Sequence, residues 1–176
     1  MPYTTPATVA TGSVASSTTY NSQVISNIAW LGNDAPACQV YRNSNLSLTN
    51  NTDTVVAYNL ETFDNANMHD AVTNTSRITI PTGGAGLYEI VTTGIFAANA
   101  TGVRRLDILL NGGTLIGRTG ATGTSSGKAF MQTTAIYRLN AGDYLETQVF
   151  QNSGGALDFE YAASYASFFS AIWIRN

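Results

Sequence analysis

The sequence predicts an all-β sandwich carried behind an extended N-terminal arm with one short helix. Three observations predict it. From Cys38 onward, short apolar and β-branched runs alternate with turns built from Gly, Asn and Asp. No segment after Leu31 keeps a helical period, so no crossover helices are available for a parallel sheet. Everything before Asp34 is uncharged, rich in Thr, Ser and Ala, with Pro2 and Pro6 and too few large apolar groups to form a core. The chain therefore divides into an arm, 1–35, and a sandwich domain, 36–176.

In the arm, "NSQVISNIAWL" places Val24, Ile28 and Leu31 at helical spacing, with Ile25 beside them and Asn21 or Ser22 as the expected cap. A helix of about ten residues is marginal alone in water. With Trp30 it forms an apolar surface, and Val24, Ile25, Ile28, Trp30 and Leu31 are the residues expected to dock on a partner.

Strands are expected at 38–43, 46–49, 54–60, 77–80, 86–98, 103–110, 114–118, 128–139, 143–151 and 167–175. Asn111-Gly112 lies between two apolar runs, and both residues tolerate positive φ, which marks a hairpin. A second tight turn is expected at Asn140–Asp143, with longer loops at 81–86 and 120–127.

Two of these strands are apolar on both sides. In "GLYEIVTTGIFAA", Tyr88, Ile90 and Phe96 share one face, while Leu87, Val91 and Ile95 share the other. In "SFFSAIWIRN", Phe168, Ile172 and Ile174 oppose Phe169, Ala171 and Trp173. An antiparallel strand with one solvated face alternates apolar with polar. The second face therefore needs a cover: another subunit, or else a loop or the arm lying over Leu87, Val91 and Ile95.

At 176 residues the chain is large enough for one self-sufficient core. Cys38 is the only cysteine, which rules out an internal disulfide and a cysteine-based zinc site. Charged residues make up 11% of the chain and the net charge is −3, so a basic footprint for nucleic acid is missing. No run approaches the length of a membrane span. The first twenty residues lack the positive and apolar regions of a secretory signal, so a product assembled in a cytosol is expected.

The runs "RITIPTGGAGLYEIVTTGIFAAN", "YRLNAGDYLETQVFQNSGG" and "SFFSAIWI" resemble, in order, the trimeric jelly roll of complement and tumour-necrosis-factor-like proteins. More narrowly, "PYTTPATVATG", "YNSQVISNIAWL", "FDNANMHD", "TNTSRITIP", "FAANATGVRRLDILLNG" and "NAGDYLETQVFQNSGGAL" resemble a form of this domain found in tailed-bacteriophage virion proteins. The arm lacks the early Trp and the charged helix residues of that pattern. The resemblance implies a threefold jelly roll. Its axis would run by the two-sided strands, with Tyr88, Ile90, Ile95, Phe96, Phe168, Ile172, Trp173 and Ile174 at the subunit interface.

Chemistry is thinly represented. His69 is the only histidine, in the polar cluster Asp64, Asn65, Asn67, His69 and Asp70. No serine is selected to complete a triad; oxygen ligands for calcium are plentiful, but the spacing lacks the glycine and terminal glutamate of an EF-hand. A hydrogen-bonded loop is expected instead. "GTSSGKA" departs from a phosphate loop at its first glycine and at the residue after Lys128. Asp158 and Glu160 have the alternation of a glycosidase pair but are expected as ordinary strand-edge carboxylates. No catalytic residue, metal or cofactor is expected.

The expected function is that of a non-enzymatic virion structural protein: a homotrimer joined to other virion proteins by its arm. A short capsid decoration fits better than a fibre, because no shaft of repeats is present. The alternatives are a tail-tip or tail-fibre knob contacting a host glycan or receptor, with Tyr161 and Tyr165 as candidate contacts, and a soluble lectin-like module.

Overall fold

The structure, a computed structural model, describes residues 5–8, 10–14, 16–125, 127–162 and 167–176. One helical segment runs from Ser17 to Asp34. It is α-helical at Ser17–Tyr20 and Ser26–Ala29 and widens into π turns at Asn21–Ile25 and Trp30–Asp34. The cap is Ser16, earlier than the expected Asn21 or Ser22. Its hydroxyl accepts the Thr19 N–H at 3.1 Å and satisfies a donor that the first turn leaves open. Asn21 lies inside the helix, where its carbonyl accepts both the backbone N–H and, at 2.9 Å, the hydroxyl of Ser26, five residues on.

Thirteen strands follow: β1 (Ala37–Tyr41), β2 (Leu46–Leu48), β3 (Thr54–Val55), β4 (Leu60–Asp64), β5 (His69–Asp70), β6 (Asn74–Thr79), β7 (Gly86–Phe96), β8 (Asn99–Leu110), β9 (Thr114–Thr124), β10 (Ala129–Leu139), β11 (Tyr144–Gln151), β12 (Leu157–Phe159) and β13 (Phe168–Arg175). All pair antiparallel. The larger sheet runs β2-β12-β7-β13-β1-β4, with β10 on the other side of β7; the smaller runs β5-β6-β11-β8-β9, with β3 on β11. The two sheets stack as a jelly-roll sandwich.

The register decides which side of each two-sided strand is the core. Tyr88, Ile90 and Phe96 point at the opposite sheet and are fully buried. They pack with Val40, Tyr58, Leu106, Phe159 and Phe169 in one cluster. Phe96 meets Phe159 edge-on at 5.3 Å, and Tyr58 stacks on Phe169 at 5.9 Å. Gly94 permits the close approach of β12, because a Cβ there would strike the Phe159 ring.

The two expected turns form and are tied together. Asn111 (φ 53°) and Gly112 (φ 74°) both take the left-handed region between β8 and β9. The Asn111 amide donates to Asp143 at 2.9 Å and its carbonyl oxygen accepts the Tyr144 N–H at 2.9 Å. The side-chain bond from Asn111, followed by the Asn140 backbone N–H, holds the Asp143 carboxyl below its usual range. A depressed folded-state value stabilises the fold above the unfolded value, about 3.9, and that contribution is lost as pH falls through the folded value. Asp143→Asn is therefore expected to lower Tm at pH 7, with the gap from wild type closing below about pH 4. A constant gap across a pH series would contradict this account.

Three expectations about strands are corrected. The run 54–60 is strand at Thr54–Val55 and again only at Leu60, where β4 begins; between them Val56 donates to Thr147 and Tyr58 to Thr75, so the chain switches partners. The expected loop 120–127 is strand as far as Thr124, because β9 stays paired with β8 at Gly120, Ala121, Thr122 and Thr124. The short strands β4, β5 and β12 add to the expected set.

Candidate functional site

The two outer faces of the sandwich differ in chemistry. On the smaller sheet, Asp107 is fully buried beneath two arginines. Arg118 donates to both its oxygens at 2.8 Å, and Arg105 donates to Oδ2 at 2.8 Å. Arg105 also pairs with Asp53 and lies over the Phe150 ring at 4.7 Å. Arg77 adds an ion pair with Glu146 at 3.3 Å and lies over Tyr144 at 4.0 Å. This face is internally paired, each charge answered by a neighbour.

The outer face of the larger sheet has the opposite character. β7, β10 and β13 together carry three charged residues, Glu89, Arg138 and Arg175. At one level across this face, Ile136 pairs with Glu89, Glu89 with Ile172, and Ile172 with Ala37. Ile136 is 63% exposed and Ile172 41%. Phe130, opposite Ile95, is 65% exposed, and Phe63 and Leu60 on β4 are also exposed. Leu87 and Val91 are half-buried between them. The second face of β7 is thus largely left open by this chain.

Of the eight residues expected at a subunit interface, Tyr88, Ile90 and Phe96 are inside this chain's core and cannot reach a neighbour. Ile95 lies on the outward side but is already 4% exposed within one chain. Trp173 pairs with Tyr88 and turns inward. Phe168 is half-buried on the outer face, and Ile172 and Ile174 are exposed. Sequence reasoning missed Phe130, Ile136, Phe63 and Leu60. A period-two reading of 129–139 carries the signal for two of them, since Phe130 and Ile136 alternate with the inward Met131, Thr133 and Ala135.

A groove of about 740 Å³ opens on this face at the β13 start. Tyr41, Phe130, Tyr161 and Phe168 supply aromatic walls, Gln39 and Gln132 supply amides, and among the described residues no lining side chain is charged. Tyr165 lies outside the described residues.

The arm residues separate into two groups. Trp30 is 3% exposed and meets Trp173 edge-on at 4.2 Å. Asn27, one turn earlier, is also buried. Val24, Ile25, Ile28 and Leu31 are 38%, 48%, 63% and 58% exposed. Trp30 therefore does not belong to the outward docking stripe: an aromatic at the end of the sandwich has claimed it for this chain's own packing.

The polar loop is hydrogen-bonded as expected. Asp64 accepts the backbone N–H groups of Ala66, Met68 and His69 at 3.1, 3.0 and 2.8 Å. Asn65 bridges to Ala35 and Ala37, accepting the Ala37 N–H and donating to the Ala35 carbonyl, both at 2.8 Å. His69 is buried, with Nδ1 at 3.0 Å from Glu61 and Nε2 at 3.3 Å from the Thr75 carbonyl. Among the described residues no three His, Cys, Asp or Glu side chains are grouped to share an ion. Asp158 accepts from Asn45 at 3.2 Å, and Glu160 pairs with Lys128. Cys38 is fully buried; that burial, then the charges of Asp64 and Glu61, push its thiol up and keep it protonated.

The fold has relatives among solved structures. Murine APRIL at pH 5.0 matches with a TM-score of 0.58 and 10% identity, covering 79% of this chain and 98% of that one. Murine APRIL at pH 8.0 matches with a TM-score of 0.57 and 11% identity over the same shares. The fold is a tumour-necrosis-factor-like jelly roll. No family model and no curated protein matches the sequence. In this jelly roll β4, β1, β13, β7 and β10 form the apolar-faced sheet, and the N-terminal helix closes the end where β13 finishes.

Proposed function

We propose that this chain is a non-enzymatic virion structural protein acting as a homotrimer of jelly rolls, attached to its particle through the N-terminal arm. The contrast between the two outer faces carries the reading. Charges on the smaller sheet are satisfied within the chain, whereas the larger sheet offers contiguous apolar side chains that a lone subunit would leave in water. Such patches mark association surfaces. The tumour-necrosis-factor-like fold supports self-association, and the ordered sequence motifs from "PYTTPATVATG" to "NAGDYLETQVFQNSGGAL" support a virion origin. The short link from helix to β1, two residues between Asp34 and Ala37, suits a compact decoration of a capsid surface.

The test is sedimentation equilibrium on the full chain. The expected mass is three times the 18.6 kDa of one chain. Ile136→Asp is expected to give a folded monomer, since that side chain is outside the chain's own core and a carboxylate buried in an apolar contact is costly. A wild-type monomer that stays soluble at high concentration would overturn the reading.

The groove favours a second reading, a knob or lectin-like module taking a neutral glycan. Aromatic walls with planar amides and no charge suit sugar faces and hydroxyls. In that case Tyr41→Ala would abolish glycan binding and leave the sedimenting mass unchanged.

A further inference from the structure

Asn111 is the one asparagine of the chain with a glycine after it. That order carries chemistry of its own. The backbone nitrogen following an asparagine can attack the side-chain amide carbon, and a glycine there has no side chain to obstruct the approach and few limits on its backbone. Residues 111–115 are all exposed, so water reaches the turn. The same asparagine joins two turns. Its side-chain amide donates to Asp143 Oδ1 at 2.9 Å, its side-chain oxygen accepts the Tyr144 N–H at 2.9 Å, and its backbone N–H donates to the Tyr144 carbonyl at 2.8 Å.

We propose that Asn111 is a self-modification site, whose loss of ammonia converts the tie between the two turns into a repulsion. The Gly112 nitrogen bonds to Asn111 Cγ, its proton passes through water to the side-chain nitrogen, and the Cγ–Nδ2 bond breaks to release ammonia. Water then adds to either carbonyl of the five-membered imide and opens it, so the net change is one water consumed and one ammonia released. One opening leaves aspartate. The other routes the main chain through the side-chain carbon and leaves isoaspartate, which lengthens a tight turn by one main-chain atom. Aspartate sets a carboxylate where a donor faced Asp143. Before the step, the bond to Asp143 holds the departing nitrogen in place, so conversion follows opening of the turn. The chemistry is the same in a single chain as in an assembly, because β8, β9 and β11 all lie on the smaller sheet.

Peptide mapping by mass spectrometry, on the full chain incubated at mildly alkaline pH, tests this. The peptide containing 111–112 is expected to gain the mass difference between an amide and an acid ahead of the peptide containing Asn140, the asparagine of the neighbouring turn. In denaturing urea its conversion is expected to be faster than in the folded protein. Asp143→Ala is expected to raise the folded-state rate roughly tenfold, the factor in turn opening for loss of one charge-assisted bond, and to leave the rate in urea unchanged. Asp143→Asn keeps an acceptor without the charge and is expected to fall between; it supplies the comparison if alanine at 143 unfolds the protein. Asn111→Asp reproduces one product. Its Tm at pH 7 is expected about 2–4 °C below wild type, with the gap narrowing in high salt as the facing carboxylates are screened. If Asn111 of the folded protein converts no faster than Asn140, the site is overturned. Equal folded-state rates for wild type and both Asp143 variants would overturn the restraint by Asp143, and a wild-type Tm for Asn111→Asp would overturn the repulsion.

Discussion

Trp30→Ala is expected to undock the N-terminal helix while leaving the jelly roll folded. Trp30 is 3% exposed and its ring meets Trp173 at 4.2 Å with an interplanar angle of 89°. Truncating a buried tryptophan to alanine costs about 3–5 kcal/mol, and edge-on aromatic contact is itself worth about 0.5–1.5 kcal/mol. A helix with a short contact region has little else to set against that loss. Local unfolding also sets a ceiling: once the arm is released, the remaining sandwich is not further destabilised. The protein contains two tryptophans and they face each other, so emission reports the contact directly. The variant is expected to show a red-shifted Trp173 emission and faster proteolysis within 17–34, with the β-sheet signal unchanged. An unshifted spectrum would mean that Trp30 is not what shields Trp173. The same contact bears on truncation: removing residues 1–33 takes away Trp30 with the arm, so a cut before Ser16 is the cleaner test of what the segment before the helix contributes.

The second large effect is expected at Asp107. Its carboxylate is fully buried and accepts three charge-assisted bonds at 2.8 Å from Arg105 and Arg118. Asp107→Ala leaves two guanidinium groups side by side without their shared counter-ion. The arginine side chains are 24% and 48% exposed, so water relieves part of the cost. A loss of about 2–4 kcal/mol is expected, toward the lower part of the range for breaking a buried pair. Urea unfolding measures it. A midpoint within error of wild type would show that the arginines, rather than the pair, supply the packing on this face. Because the network lies on the sheet opposite the apolar face, sedimentation of the variant is expected to match wild type.

The general architecture was legible because it rests on local chemistry. Asn111-Gly112 announces its turn through positive φ, and the long strands announce themselves through period two. What period two cannot reveal is which apolar side faces inward. Tyr88, Ile90 and Phe96 look no more internal than Leu87, Val91 and Ile95 until pairing with β13 sets Trp173 beside Tyr88. The same gap explains the helix. Its most apolar side was expected to be its contact side, yet the buried residues are Trp30, whose ring meets Trp173 edge-on, and Asn27 one turn earlier. Short strands such as β4, "LETFD", were hidden by their polar composition; β4 pairs with β1 at the end of the sheet order.

The pairing of Ala37 with Ile172 has a consequence for how the molecule presents itself. The first strand enters and the last strand leaves side by side, so the sandwich is entered at Ala37 and left at Arg175 at one pole. The turns around 42–45 and 97–98 lie at the far ends of β1 and β7, at the opposite pole. Cargo fused after the last strand would therefore crowd the pole that also receives the helix. Peptides inserted in the 42–45 turn would be displayed from the other, which makes the fold a two-ended scaffold with one end for anchoring and one for presentation.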